Sequence, residues 1–347
     1  MPVVEIDGSR LEGGGQIIRT AVAMSAVSGK PLHIFNIRAN RKQPGLKTQH
    51  LEGIKAIATL CGGELKGAVL GSKEIFFRPG KLQPKPLEIT ISTAGSIGLI
   101  FQSLKLPAAQ AGKPVTVHIK GGATFGKWSP PVPYTQNVLI PILEKMGYKA
   151  EIKINRHGFY PKGGADVTMT IQPFRDLKPL KLLKVGKVKE IEGMSIASTH
   201  LQKARVAERQ AQAAATVLKQ KGLKGKITPH YVDSVCPGSG ITLWAKMSDG
   251  SVIGADGLGE RGKPSEKVGK EAATKLLSAL RSGTAVDPHL SDQILPMMAF
   301  APGTSSILVP EVTMHAKTNM WVIQKFRNVG FQSRSAEKGL ILDCFVL

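Results

Sequence analysis

Apolar and polar positions along the chain fall into one arrangement written three times. Arg19–Gly29 (RTAVAMSAVSG), Gln102–Gly112 (QSLKLPAAQAG) and Gln293–Gly303 (QILPMMAFAPG) each open on a polar residue, continue as an apolar stretch of helical character and reach a glycine ten positions on. Glycine there is a helix stop, because it adopts the left-handed backbone that closes a last turn. Each stretch is followed by a β-rich run: KPLHIFNI, KPVTVHI and TSSILVPEV. A second set of amphipathic helices opens on Thr-Gln or Thr-Asn, at Thr48, Thr135 and Thr318, and is expected to stop at Gly63, Gly147 and Gly330. EIFFRP, ADVTMTI and GLILDCFVL then read as further strands. The predicted unit is strand–helix–strand–helix–strand–strand, and its threefold repetition marks an α+β fold of three βαβαββ units.

The first strands of two copies are VVEI (Val3 to Ile6) and LEITIS (Leu87 to Ser92). The third copy has no strand directly before Gln293. Its first strand is assigned about a hundred residues upstream, to LKLLKV (Leu180 to Val185). An insertion therefore divides the third unit. The expected division is a three-repeat domain of residues 1–185 and 287–347 and a smaller inserted α+β domain of residues 186–286. The insertion contains a strand EGMSIAS, a helix within KARVAERQAQAAATVLKQKG, strands GITLWAKM and SVIGAD, and a helix within SEKVGKEAATKLLSALRSG.

Composition narrows the class of protein. The chain has 347 residues, 42% of them hydrophobic, enough for a sizeable core. Lys and Arg number 47 against 25 Asp and Glu, a net charge of +22 that attracts polyanions such as RNA. Three cysteines, Cys61, Cys236 and Cys344, are too few for a disulfide framework and match no zinc spacing, which points to a reducing cytoplasm. No apolar run reaches the length of a membrane span, so no membrane partner is expected.

Four motifs carry candidate chemistry. GLGERG (Gly257 to Gly262) satisfies G-x-G-x-x-G but lacks a second strand with its acid, so it is not read as a dinucleotide site. EGGGQIIR (Glu12 to Arg19) is either a tight strand-to-helix turn or an anion cradle at a helix start, with Glu12 able to hold a divalent cation and Arg19 a phosphate. The loop RANRKQPGLKTQH (Arg38 to His50) gathers Arg38, Arg41, Lys42 and Lys47, followed by Gln49 and His50. It is either a solvated basic loop or a phosphate-binding one. Finally, PEVTMHAKTN reads as a short strand (Val312 to Met314), a turn holding His315, and a helix opening near Asn319. Repeat symmetry places the His315 turn and the Arg38 loop at equivalent edges of their units. An imidazole so placed can attack a phosphoryl centre.

EGGGQIIRTA, IRANRKQPGLKTQHL, RHGFYPKGG, LGERGKPSEKVG and HAKTN together resemble the motifs of RNA 3′-terminal phosphate cyclases, in order and over essentially the whole chain. The resemblance implies three βαβαββ units with an inserted domain. It implies an ATP-dependent reaction in which His315 of the H-x-x-x-N turn takes AMP from ATP, AMP passes to an RNA 3′-phosphate, and the ribose 2′-OH closes a 2′,3′-cyclic phosphate. By the same matching, Glu12 is the ligand of a divalent metal, Mg or Mn. Arg19, Arg38, Arg41, Gln49 and His50 are phosphate and nucleotide contacts, and Gln102 with His289, Leu290, Ser291, Asp292 and Gln293 forms the ATP site. His289 departs from the tyrosine that some members carry. Two other classes share the architecture: a non-catalytic cyclase-like RNA-binding or ribosome-assembly protein, and a small-molecule enolpyruvyl transferase. The presence of His315 favours the enzyme over the first. The charge and the Arg-rich loop favour an RNA end over a small metabolite.

Overall fold

The computed structural model describes residues 2–347. The first unit runs β1 (Val4–Asp7), α1 (Gly15–Ser28), β2 (Leu32–Phe35), α2 (Thr48–Cys61), β3 (Glu64–Lys66) and β4 (Ile75–Arg78). The second runs β5 (Leu87–Ser96), α3 (Ile97–Ala109), β6 (Val115–Ala123), a helix in three pieces, β7 (Ala150–Arg156) and β8 (Asp166–Ile171). The pieces are α4 (Val132–Tyr134), wide π turns over Thr135–Leu139, and α5 (Ile140–Glu144). Pro141, which lacks an N–H, follows the widened turns. The third unit opens with β9 (Lys181–Leu182). After it come β10 (Val188–Ser198), α6 (Val206–Lys219), β11 (Gly225–Val232), β12 (Ser239–Met247), β13 (Val252–Leu258) and α7 (Ser265–Arg281). The third unit then resumes with α8 (Ser291–Met298), β14 (Thr304–Val309), α9 (Met314–Phe326), β15 (Val329–Ser335) and β16 (Leu340–Val346).

The three units share one strand order: β1-β2-β4-β3, β5-β6-β8-β7 and β9-β14-β16-β15. In each, the first two strands are parallel and joined through a helix, and the other pairings are antiparallel. Strand patterning follows from the layers. In β6, Val115, Val117 and Ile119 are fully buried while Thr116 faces water, so the sheet buries one face. The helices meet one another: α1 packs on α2, α3 and α9, α3 on α2 and α8, and α8 on α9. The N-terminal ends of α1, α8 and α9 thereby approach one another, which is what positions the site. No helix of the described residues is long and apolar enough to cross a membrane.

The fourth sheet, β11-β10-β12-β13, lies wholly between β9 and α8 in sequence. One face packs on α6 and α7 through Leu243, Ala245, Ile253, Ala272 and Leu276. The other meets the second unit: Gly240 closes on Phe125, and Gly254 on Tyr134 and Val138. That double coverage explains the unbroken apolar pattern of GITLWAKM. Leu182 pairs with Ile307 of β14, and Ala285 N–H donates to Leu308 O at 3.1 Å, so both ends of the intervening segment reach the same strand.

Several boundaries differ from the sequence expectation. Only Gly29, at φ 70°, and Gly62, at φ 61°, close helices directly. Helix α3 ends before Gln110, α8 ends before Ala299, and Gly330 lies inside β15. Strand β14 stops at Val309, and α9 begins at Met314 rather than near Asn319. The Thr313 hydroxyl accepts the Ala316 N–H at 3.1 Å and caps that earlier start. His315 therefore sits in the first turn of a helix.

Candidate active site

Helix α1 begins without a side-chain cap, at Gly14, leaving its first N–H groups for an anion. Three glycines at its start leave room for neighbouring side chains. A Cβ on Gly13, which has φ 59°, would strike Asn40, one on Gly14 would strike the Glu12 carboxylate, and one on Gly15 would strike the His50 imidazole. The turn is thus narrow because the Arg38–His50 loop folds directly against it.

Glu12 is almost buried and pairs with Arg41, whose side chain remains 46% exposed. The second Glu12 oxygen, Oε2, is buried without a protein partner. Such an atom fits a cation. One carboxylate completed by phosphate oxygens is a donor set that Mg or Mn accepts, whereas no group of three His, Cys, Asp or Glu is gathered among the described residues.

Asp292 joins three helices. Its Oδ2 accepts Gln16 Nε2 of α1 at 3.0 Å, and its backbone carbonyl accepts Asn319 Nδ2 of α9 at 2.7 Å. Gln16 Nε2 also reaches the His315 carbonyl at 3.3 Å, and Thr20 Oγ1 donates to Asn319 Oδ1 at 2.6 Å. Asn319 lies one turn beyond His315, so its side chain fixes the helix that presents the imidazole. Gln102 Nε2 donates to Gln293 Oε1 at 3.2 Å, and the buried Lys105 ammonium donates to Gln293 O. Gln16, Arg19, Thr20, Gln102, Lys105, Asp292, Gln293 and Asn319 border a cavity of about 20 Å³, the size of one water site.

The charges have a consistent sense. Burial lowers Arg19 to about 10 and Lys105 to about 7, each opposed by Asp292. Burial raises the Asp292 carboxyl, against the pull of His315, Lys105, Arg19 and His289. His315 is held below its ordinary 6.5, first by desolvation, with Arg19, Arg41 and His289 adding to it and Asp292 opposing. The imidazole is exposed and neutral at pH 7, with a cationic surround that suits phosphate.

Other expected residues are placed differently. His50 is buried, accepts the Lys47 N–H on Nδ1 at 3.3 Å, and caps α2; burial and the cations Arg19, Arg38 and Lys47 hold it well below 6.5. Arg38, at φ 55°, donates to the Gln43 and Gly45 carbonyls at 2.7 and 2.8 Å, tying its own loop. Gln49 lies against Gly95 at the end of β5. Leu290 and Ser291 are buried, whereas His289 is exposed. Sequence reasoning gave no role to Gln16, Thr20, Lys105 or Asn319, although the helical spacings Gln16–Arg19–Thr20, Gln102–Lys105 and His315–Asn319 carry the signal. It also passed over Asp287. That buried carboxylate accepts Tyr134 OH at 2.9 and 2.8 Å, Gly254 N–H at 3.1 Å, His289 N–H at 3.0 Å and Leu290 N–H at 3.1 Å.

A neutral histidine at a helix start, within reach of the charges of Arg19 and Arg41 and beside an uncapped helix N-terminus, makes this an anion-handling site built on a three-repeat α+β frame. Residues 10–333 match the family model described as RNA 3'-terminal phosphate cyclase. Proteins named RNA 3'-terminal phosphate cyclase from Methanopyrus kandleri (46% identical; 97% of each chain covered), Thermococcus kodakarensis (48%; 94% of this chain and 93% of the relative) and Pyrococcus abyssi (48%; 93% of each) are similar along nearly their full lengths. The chain belongs to the RNA 3'-terminal phosphate cyclase family.

Proposed function

We propose that the protein converts an RNA 3′-terminal phosphate to a 2′,3′-cyclic phosphate at the expense of ATP, with His315 as the nucleophile. The observation that carries this reading is the neutral imidazole at the start of α9, in a cluster that also contains Arg19, Arg41 and Asp292. An imidazole nitrogen attacks the α-phosphorus of ATP, a P–N bond forms, and the P–O bond to pyrophosphate breaks. A terminal RNA phosphate oxygen then displaces the imidazole from that phosphorus, giving an RNA–adenylate with a pyrophosphate linkage. The adjacent 2′-OH attacks the RNA phosphorus, losing its proton to solvent, and AMP leaves.

Each residue has a task in this scheme. Gln16 holds the His315 carbonyl and Asn319 holds α9, so the imidazole approaches along a fixed line. Arg19 and Arg41 stabilise charge on the phosphates, and the first N–H groups of α1 add to it. Gln102 and the segment 289–293 bind the nucleotide, with exposed His289 against the base. Glu12, through its unpartnered Oε2, would hold a divalent metal, which would neutralise phosphate charge. His50 and Arg38 act through the loop they brace.

The test is an RNA carrying a labelled 3′-phosphate, incubated with the protein, ATP and Mg or Mn. The label is expected to become resistant to phosphatase, with one AMP and one pyrophosphate released for each end closed. RNA binding with a label that stays phosphatase-sensitive would favour a non-catalytic member of the family.

A further inference from the structure

Two loops of the second unit carry aromatic side chains that no core uses. Trp128 is 92% exposed and Tyr160 is 79% exposed. Trp128 is also held at φ 58°, a backbone region that a bulky residue occupies only under constraint from its surroundings. The loop on either side of it is anchored. Lys127 places its ammonium 5.1 Å from the Trp128 ring centroid and pairs with Glu260, at 3.1 Å, from the loop after β13. Gly126 lies against Ser129 and Ser96, and the Pro130 carbonyl closes on Gly98, one helical turn before Gln102. A large apolar ring kept facing water, in a strained backbone, by a braced loop has no packing explanation.

Tyr160 belongs to the neighbouring loop. Gly163, three residues on, packs on the backbone of Thr93 and Ala94, and the next residue, Gly95, touches Gln49. Both aromatic loops therefore sit along the segment 93–98, which runs between Gln49 and the start of the helix that carries Gln102. The loops are basic: Lys127, Arg156 and Lys162 are all exposed. Arg156 uses Nε to hold the Gly164 carbonyl at 2.7 Å, which fixes its guanidinium at the loop edge. Exposed rings interleaved with fixed cations are what single-stranded nucleic acid takes, since every base has a face to stack and every nucleotide a phosphate.

We infer that Trp128 and Tyr160 form a stacking surface for the nucleotides that lie 5′ of the terminal two at the reacting RNA end, with Lys127, Arg156 and Lys162 on their phosphates. This rests on the proposed cyclase reading. It adds a site whose contribution grows with RNA length and is absent from the step between ATP and the enzyme.

Trp128→Gly and Tyr160→Ala test it, singly and together. Glycine suits φ 58°, so the first change keeps the loop geometry and removes the ring. Three quantities are measured: labelling of the enzyme by ATP without RNA, cyclisation of a 3′-phosphorylated dinucleotide, and cyclisation and anisotropy-detected binding of a longer 3′-phosphorylated oligonucleotide. Labelling and dinucleotide turnover are expected to stay at the wild-type level. KM and Kd for the oligonucleotide are expected to rise about tenfold for each lost ring, with less loss for Trp128→Phe. Unchanged oligonucleotide binding, or an equal loss for both substrates, would overturn the assignment. So would a rise in KM for ATP in the labelling step, which would give the loop to the nucleotide instead. If the wild type binds the oligonucleotide through these rings but closes no cyclic end, the surface stands and the cyclase reading falls.

Discussion

Asp287→Ala removes a carboxylate on which three parts of the chain converge. Its two oxygens accept Tyr134 OH of the second unit, Gly254 N–H of β13, and the N–H groups of His289 and Leu290 leading into α8. The side chain is 2% exposed, so solvent does not replace what is lost. At ~1 kcal/mol for each donor left without an acceptor, three of them buried and the His289 N–H partly so, the loss of stability is at most about 4 kcal/mol. Burial raises the Asp287 carboxyl, so removing it also relieves a desolvation penalty, and about 4 kcal/mol is an upper figure. Asp287→Asn keeps one acceptor and turns an NH₂ toward the other donors, so it is expected to fall between alanine and wild type. Functionally, His289 and Leu290 lose the anchor of the segment proposed to bind the nucleotide, so KM for ATP in enzyme labelling is expected to rise while the rate at saturating ATP changes less. Denaturant unfolding and an ATP titration of labelling measure the two effects. An alanine variant as stable as the wild type, with an unchanged ATP titration, would refute the argument.

Three further outcomes are expected. Because His315 lies below its ordinary 6.5, the acid limb of enzyme labelling should fall below pH 6.5, and the wild type should lose stability relative to His315→Asn as pH drops through 6.5, where the unfolded imidazole protonates first; an inflection above 6.5 would contradict this. Replacing residues 186–286 with a short linker should leave a foldable body, since Leu182 and Ala285 both reach β14, but one that binds a hydrophobic dye, because Phe125, Tyr134 and Val138 lose the sheet they pack on; failure to fold with several linkers would count against the boundary. Gly15→Ala should push its methyl into the His50 imidazole, destabilise by about 1–3 kcal/mol and weaken labelling, whereas unchanged unfolding and labelling would show that the loop does not rest on the turn.

Much of this frame was legible in the chain because repetition magnifies weak periodicity. The repeated β-rich runs became β2, β6 and β14, and the missing first strand of the third unit appeared as β9, far upstream. Edge strands were harder. In β3 and β11 exposed and partly buried residues alternate without an apolar row, and those segments carried little signal. The start of α9 was hidden because Val312 and Thr313 are β-branched, while the capping bond from Thr313 is a local event that periodicity does not register. At the site, single residues with distinctive chemistry, such as Glu12, Arg41, Asp292 and His315, stood out. The residues that hold them did not: Gln16 and Asn319 reach Asp292 from other helices, Lys105 reaches Gln293 from α3, and Asp287 gathers groups from the second unit and β13, so their roles depend on how these elements pack. His50 and Arg38 show the converse, since residue type suggested phosphate contact and the fold turns both toward their own loop.

The central claim is that His315 carries AMP. Incubation with α-labelled ATP and Mg or Mn, without RNA, followed by peptide mapping, tests it most directly. The expected result is label on an imidazole nitrogen of His315, labile in acid and comparatively stable in alkali as a phosphoramidate is, and absent from His315→Ala and His315→Asn proteins that remain folded. Normal labelling of His315→Ala, or label mapped to a lysine such as Lys317, would contradict the account.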